Sequence, residues 1–261
     1  MVPIVTAFRL PKHGYSMDEC DDAFAYELGC LRFAIADGAT ESAFSDRWAQ
    51  SLVKAYIAEP PFGMPPSEDA MMLWMLPLQH EWRQSIDWGN LPWYCQEKAE
   101  NGAFATFLAL EFAAHGTVWE KIVSRTLQGE ELKWNAFAVG DSNLFQVRED
   151  QMIATFPVAR SDEFSSRPIL LASNENHNYS ALRDIKAASG GVKAGDRFFL
   201  ATDALAKWFL ERHEAGEKPW ETLLALENEQ QFAELSERLR KEQGVRNDDM
   251  TLVVIRWESE S

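Results

Sequence analysis

Cysteine is scarce in this 261-residue chain: Cys20, Cys30 and Cys95 are an odd number, widely spaced, with no Cys-x-x-Cys. No disulfide framework can be built from them, and reduced thiols in a cytoplasmic compartment are expected. The five histidines show no metal-binding spacing among themselves or with the cysteines, which argues against zinc. Basic charge is short as well, with 25 Lys and Arg against 41 Asp and Glu and a formal net charge of -16. A nucleic-acid backbone wants a basic face, so it is excluded as the main partner. Long apolar runs are missing: residues 71–78 and 103–110 are the longest and too short to span a bilayer. The N-terminus has no basic region leading into an apolar segment, so neither a signal peptide nor a membrane partner is expected. A soluble, cytoplasmic protein follows as the expectation.

What the chain does have is core. Its hydrophobic content of 46% is that of a globular protein, and without internal repeats, low-complexity tracts or a linker it predicts one domain over 1–261. Residues 2–10 read as a strand. Residues 23–26 and 30–36 read as a hairpin, and a helix starts at Ser45 and stops at Pro60-Pro61. Residues 59–101 combine six prolines with Trp74, Trp82, Trp88 and Trp93. The simpler expectation is an irregular helical layer over a sheet; the sharper one is a lid or a partner-docking surface. Phe104, Phe107, Leu108 and Phe112 fall on one helical stripe and predict a helix over 103–115. Extended runs at 117–127, 131–139 and 143–147, turning at 128–130 and 140–142, predict a meander. Residues 148–195 read mainly as loop, with a short helix near 179–185. A strand at 198–201, helices over 205–212 and 220–243, and a closing strand at 250–257 complete the chain. Blocks of strands set apart from blocks of helices indicate an α+β layered fold.

Acidic residues stand where these strands start or stop: Asp21 and Asp22, Asp37 with Gly38 after it, Asp141, Asp203, and Asp248 with Asp249. A strand ending in Asp-Gly delivers a carboxylate to a sheet rim, and the glycine exposes its carbonyl as a further oxygen ligand. Hard cations such as Mg²⁺ and Mn²⁺ want carboxylate, carbonyl and water oxygens without histidine or thiolate. Spacing alone leaves two accounts open, a shared cation site and a set of solvated strand ends in a purely structural domain.

The ordered set resembles the metal-dependent protein serine/threonine phosphatases of the 2C type. The motifs that carry the resemblance are Asp21-Asp22-Ala23, Ala36-Asp37-Gly38, Gly102-Ala103-Phe104-Ala105-Thr106, Val139-Gly140-Asp141-Ser142, Leu200-Ala201-Thr202-Asp203-Ala204 and Asp248-Asp249-Met250-Thr251, in the family's order. The resemblance implies an αββα four-layer sandwich, two antiparallel sheets face to face with helices outside. It implies two Mg²⁺ or Mn²⁺ ions and a possible third. Asp37 would bridge the two, the Gly38 carbonyl and Asp21, with Asp22 beside it, would serve one, Asp203 and Asp248 the other, and Asp141 the third. It further implies hydrolysis of phosphoserine and phosphothreonine in phosphoprotein substrates by a metal-bridging water, with no protein nucleophile. The chain shows neither a Ser-His-Asp set nor a Cys-x5-Arg motif.

Several positions depart from the family pattern. Ala39 stands where the family often has His, Met17 where a phosphate-binding Arg is usual, Asn143 for Arg and Ala204 for Gly. Lys12, His13 or Arg9 are the candidates to meet the phosphate instead. The same departures motivate an alternative: a pseudophosphatase that keeps the fold and acts as a binding or regulatory module through residues 59–101.

Overall fold

The structure, a computed structural model, describes residues 1–114 and 132–259. The runs predicted at 117–127, the turn at 128–130 and the start of the run at 131 lie outside the described residues.

Two five-stranded antiparallel sheets form the frame. The first has the order β1 (Val2–Leu10), β12 (Met250–Glu258), β11 (Arg197–Ala201), β7 (Asn143–Arg148), β8 (Gln151–Phe156). The second has the order β10 (Lys186–Gly191), β6 (Leu132–Val139), β5 (Phe107–Ala114), β3 (Arg32–Ala36), β2 (Ala23–Glu27). A two-stranded ribbon joins β4 (Phe104–Ala105) to β9 (Leu171–Ala172). Strands near the two ends of the chain thus lie side by side, with Val2 opposite Glu258 and Leu10 opposite Met250.

Side-chain alternation along the strands separates three cores. Between the sheets, Phe33, Ile35, Leu108, Leu110, Phe112 and Trp134 meet Leu144, Phe198, Leu200, Val253, Ile255 and Trp257. On the outer face of the first sheet, Phe145, Phe199, Leu252 and Val254 pack under α5 (Asp203–Glu214), α6 (Pro219–Leu224) and α7 (Glu229–Glu242). On the outer face of the second, Ala34, Phe107, Ala109 and Phe137 pack under α1 (Ser45–Ala58) and α2 (Glu68–Gln84). Helix, sheet, sheet and helix follow one another, an α+β sandwich of four layers. Two further helices, α3 (Trp93–Asn101) and α4 (Tyr179–Arg183), flank the second sheet's side.

The helix α1 presents Trp48, Ala49, Leu52, Val53 and Tyr56 on one buried stripe, as the sequence predicts. Residues 59–101 form α2 and α3, in line with the helical-layer expectation. Ser67 caps α2 by accepting from the Ala70 N–H at 3.2 Å, and Met71, Met75, Gln79 and Trp82 turn inward. Trp74 packs its ring 5.9 Å from Phe107.

Three expectations are corrected. The stretch expected to be a helix over 103–115 is β4 and β5 as far as it is described. Phe107 and Ala109 face the helix layer while Leu108, Leu110 and Phe112 face the other sheet. A strand buried on both faces reads as a continuous apolar run, and the helical stripe in it is coincidental. Residues 148–195 hold β8, β9 and β10 as well as α4. The β7–β8 hairpin turns on Glu149 and Asp150 at φ 47° and 64°, a left-handed turn made without the glycine or asparagine that would have announced it. Finally, the helix expected over 220–243 is two, α6 and α7, with Asn228 capping the second by accepting from the Gln231 N–H at 3.0 Å. Among the described residues no helix is long and apolar enough to cross a membrane.

Candidate functional site

Strand pairing decides where the acidic residues meet. In the second sheet Ala23 lies opposite Ala36, and Phe107 opposite Val139, so the start of β2, the end of β3 and the end of β6 share one rim. In the first sheet Ala201 lies opposite both Asn143 and Leu252, so the start of β7, the end of β11 and the start of β12 share a rim too. The Gly140-Asp141-Ser142 turn links β6 to β7 and sets the two rims together. Asp22, Asp37, Asp141, Asp203 and Asp248 all stand there, from segments more than 200 residues apart in sequence.

Local bonds hold Asp37 and Asp22. The Asp37 N–H donates to Thr106 Oγ1 at 3.1 Å, Thr106 Oγ1 bonds Ser142 Oγ at 2.7 Å, and the Thr106 N–H returns to the Asp37 carbonyl at 2.8 Å. Thr202 Oγ1 donates to Asp22 Oδ2 at 2.9 Å and accepts from the Thr251 N–H at 2.9 Å, tying both sheets to one carboxylate. Gly38 has to be glycine: a Cβ there would lie 2.7 Å from the Asp21 carbonyl oxygen and 2.9 Å from Ser45 Cβ. Gly140 sits at φ +95°, with a Cβ position 2.7 Å from Thr106 Cγ2.

Asp249 plays a different part. Its carboxylate accepts the Lys12 N–H at 2.7 Å and the Asp21 N–H at 2.8 Å, so it clamps two loops to the start of β12. Asp21 lies beside the cluster. Its Oδ1 accepts from Ser45 Oγ at 2.8 Å and its Oδ2 stands 3.8 Å from Lys12 Nζ. Lys12 Nζ also donates to Thr40 Oγ1 at 2.8 Å, which brings it to the edge of the cleft. His13 is turned away, with Nδ1 2.7 Å from Glu237 Oε1.

The carboxylates crowd one another. Burial, then the charges of Asp22, Asp203, Asp248 and Asp141, push the Asp37 pKa well up. Burial and then the charge of Asp249 do the same for Asp22. Burial raises Asp203. Burial and then Asp203 push Asp141 up to about 7. Asp21 is raised mainly by burial, against the pull of its Ser45 bond.

Against this crowding stand oxygens without partners. Asp22 Oδ1, both carboxylate oxygens of Asp141, Asp203 Oδ1 and Thr251 Oγ1 are buried with no hydrogen bond among the described residues. Orphaned oxygens on an all-oxygen donor set fit a hard divalent cation. Among the described residues no three acidic, histidine or cysteine side chains stand as a ready-made cage. The Arg246 guanidinium bonds Asp203 Oδ2 at 2.8 Å and also Asp248 Oδ2.

The cluster opens into a cleft of about 440 Å³ whose lining includes Asp37, Gly38, Ala39, Asp141, Asp203 and Asp248. Arg167 and Arg246 line it as well, and the 165–168 segment forms part of its wall. Sequence reasoning missed both arginines. Arg246 had one available signal, a cation two residues ahead of a predicted acidic ligand in a chain poor in cations; Arg167 had none.

A sequence model described as protein phosphatase 2C matches residues 11–247. No curated protein matches the chain in sequence. Among solved structures, the fold is similar to the serine/threonine phosphatase PstP/Ppp of Mycobacterium tuberculosis, at TM-score 0.63 and 14% identity, covering 99% of this chain and 100% of that one. The catalytic domain of PstP in complex with two manganese ions aligns at TM-score 0.59 and 15% identity, over 99% of each chain. The phosphatase Stp1 of Staphylococcus aureus aligns at TM-score 0.60 and 12% identity, over 99% of this chain and 96% of that one.

Proposed function

Since the chain belongs to the protein phosphatase 2C family, we propose that it is a Mg²⁺- or Mn²⁺-dependent phosphatase of phosphoserine and phosphothreonine in proteins, acting in the cytoplasm from one domain over 1–261. The observation that carries this reading is the group of buried, partnerless carboxylate oxygens on Asp22, Asp141 and Asp203 around Asp37. On this reading Asp37, the Gly38 carbonyl and the Asp21/Asp22 pair would hold one ion, Asp37, Asp203 and Asp248 a second, and Asp141 would help with a third. The two manganese ions of the PstP domain support the count.

Bound cations would supply an activated water and offset negative charge on the phosphoryl group. The chain's own residues do the positioning. Thr106 and Ser142 fix the backbone of Asp37, Thr202 fixes Asp22, and Asp249 holds the loops that carry Lys12 and Asp21. Arg167, on the cleft wall, offers a fork of N–H donors suited to phosphate oxygens. Lys12 contributes a point charge beside Thr40.

The test is hydrolysis of an aryl phosphate and of a phosphopeptide with Mn²⁺, before and after Asp37→Asn. Turnover that the substitution abolishes is expected. No turnover, or turnover that survives the substitution, refutes the reading. One observation favours the alternative of a binding module without turnover: Arg246 already neutralises part of Asp203 and Asp248. Phosphopeptide binding without hydrolysis at saturating Mn²⁺ would select it.

A further inference from the structure

Arg246 lies on the turn before β12, two residues ahead of Asp248. Its Nη2 donates to Asp203 Oδ2 at 2.8 Å and bonds Asp248 Oδ2 as well, and among the described residues these are its side-chain hydrogen bonds. One guanidinium therefore sits on the two carboxylates that would take the second divalent ion. It does so incompletely. A single positive charge faces two negative ones, and Asp203 Oδ1 remains buried without a partner.

The Arg246 side chain is 59% exposed, against 17% for Asp203 and 19% for Asp248. It reaches in from solvent over acids fixed in the wall, so its withdrawal leaves no hole in a core. There is also somewhere for it to go. A cavity of about 290 Å³ beside the cleft is lined by Arg246 itself together with Lys207, Trp208 and Glu211, and Glu211 offers an alternative acceptor.

We propose that Arg246 is a resident counter-cation that competes with one divalent ion for Asp203 and Asp248. It is then a residue that decides which cations load the centre, and at what concentration. A monovalent ion brings no more charge than the guanidinium it must expel, and it forgoes two charge-assisted hydrogen bonds. A divalent ion doubles the charge and also engages the orphaned Asp203 oxygen. At the site of Asp37, Gly38 and the first acidic pair the cation in range is Lys12, 3.8 Å from Asp21 Oδ2 and hydrogen-bonded to Thr40 rather than seated on two carboxylates. Competition there is weaker, so the two sites should differ in affinity.

The inference rests on the proposed metal centre, and the experiment separates the two. Mn²⁺ is titrated calorimetrically into the chelator-stripped full chain, as wild type, Arg246→Gln and Arg246→Lys, each with and without Asp203→Asn. The wild type should show one tighter and one weaker event. Arg246→Gln should tighten the weaker event about tenfold and leave the tighter one in place. Arg246→Lys should fall between, because it keeps the charge but carries it on a shorter, more strongly hydrated side chain. Asp203→Asn should remove the weaker event in every background, and the metal-free melting temperature of Arg246→Gln should fall while its gain on adding Mn²⁺ grows.

If Arg246→Gln binds the second ion no more tightly than wild type, the competition is refuted and the metal centre stands. The competition is equally refuted if Lys behaves as Gln, or if the weaker event survives Asp203→Asn. Binding by Arg246→Gln alone would support the proposal in its strongest form. Absence of Mn²⁺ binding in all variants would overturn the metal centre and the competition together.

Discussion

The electrostatics of the cleft can be tested most directly at Asp141, on a metal-free protein and without any enzymatic assay. Both of its carboxylate oxygens are buried without hydrogen-bond partners among the described residues, and burial followed by the charge of Asp203 pushes its pKa from 3.8 up to about 7. Between those values the folded chain holds a proton that the unfolded chain has already released. The stability tied to this group is therefore complete below about pH 4 and is lost as pH rises through about 7. A gap of about 3 pKa units at 1.36 kcal/mol each makes the loss about 4 kcal/mol. Asp141→Asn removes the ionisation while keeping shape and polarity. Near pH 4, where the wild-type group is itself neutral, variant and wild type should be close in stability; at pH 8 the variant should be more stable by up to about 4 kcal/mol. Urea unfolding in the presence of a chelator, followed by the fluorescence of the ten tryptophans, measures both. Adding Mn²⁺ at pH 8 should shrink the difference, because bound cations stabilise the ionised wild type. A variant with the same relative stability at both pH values, or one less stable at pH 8, would refute the account of crowding.

Other expectations follow from single contacts. Gly38→Ala places a Cβ 2.7 Å from a backbone oxygen and 2.9 Å from Ser45 Cβ, so it should destabilise by about 2 kcal/mol or more and weaken Mn²⁺ binding, read by thermal melts and calorimetry. Arg148→Met strips the fully buried Asp196 carboxylate of bonds at 2.6 and 2.7 Å and should lower stability by about 3–5 kcal/mol. Adding Asp196→Asn to it should recover much of that loss in the same urea assay. Asp249→Ala frees the backbone N–H groups of Lys12 and Asp21 and should lower stability by about 2–3 kcal/mol and loosen both loops, read as faster amide exchange at residues 12 and 21.

What could be read from the sequence was whatever is local. An acidic residue where an apolar run starts or stops is visible within a few residues, so Asp37, Asp141, Asp203 and Asp248 could be named, and the structure gathers them on one rim with Asp22. The helix α1 was visible because only one of its faces is buried. β5 was not, since burial on both faces erases alternation and leaves Phe104, Phe107, Leu108 and Phe112 on a false helical stripe. The hairpin at Glu149 and Asp150 was hidden because Glu149 does not favour a left-handed backbone and Asp150, which tolerates one, has no glycine or asparagine beside it. The Asp150 carboxylate accepts from Trp220 Nε1 at 2.9 Å and pairs with Lys218. Arg246 was hidden for a different reason. Its role is a relation to Asp203, 43 residues away, which no spacing rule within a turn can supply.

The burial of these acids also bears on the two accounts that spacing left open, and it supports the proposed cation site. If they were solvated strand ends, Asp22 and Asp141 would be exposed; they are 1% and 6% exposed. Burial there disfavours their charged forms, and their acidic neighbours repel them. A domain with a purely structural rim would gain stability by replacing either with an amide or an apolar residue. The chain does the opposite. Thr106 and Ser142 hold the backbone of Asp37, Thr202 one edge of Asp22 and Asp249 the backbone of Asp21, while Asp22 Oδ1, Asp203 Oδ1 and both oxygens of Asp141 make no hydrogen bond among the described residues. Supporting bonds that orient ligands while leaving their lone pairs open are what a cation centre requires. On the proposed reading the repulsion in the metal-free protein would be the counterpart of affinity for a divalent ion, since each unfavourable charge would become an attraction once the ion entered.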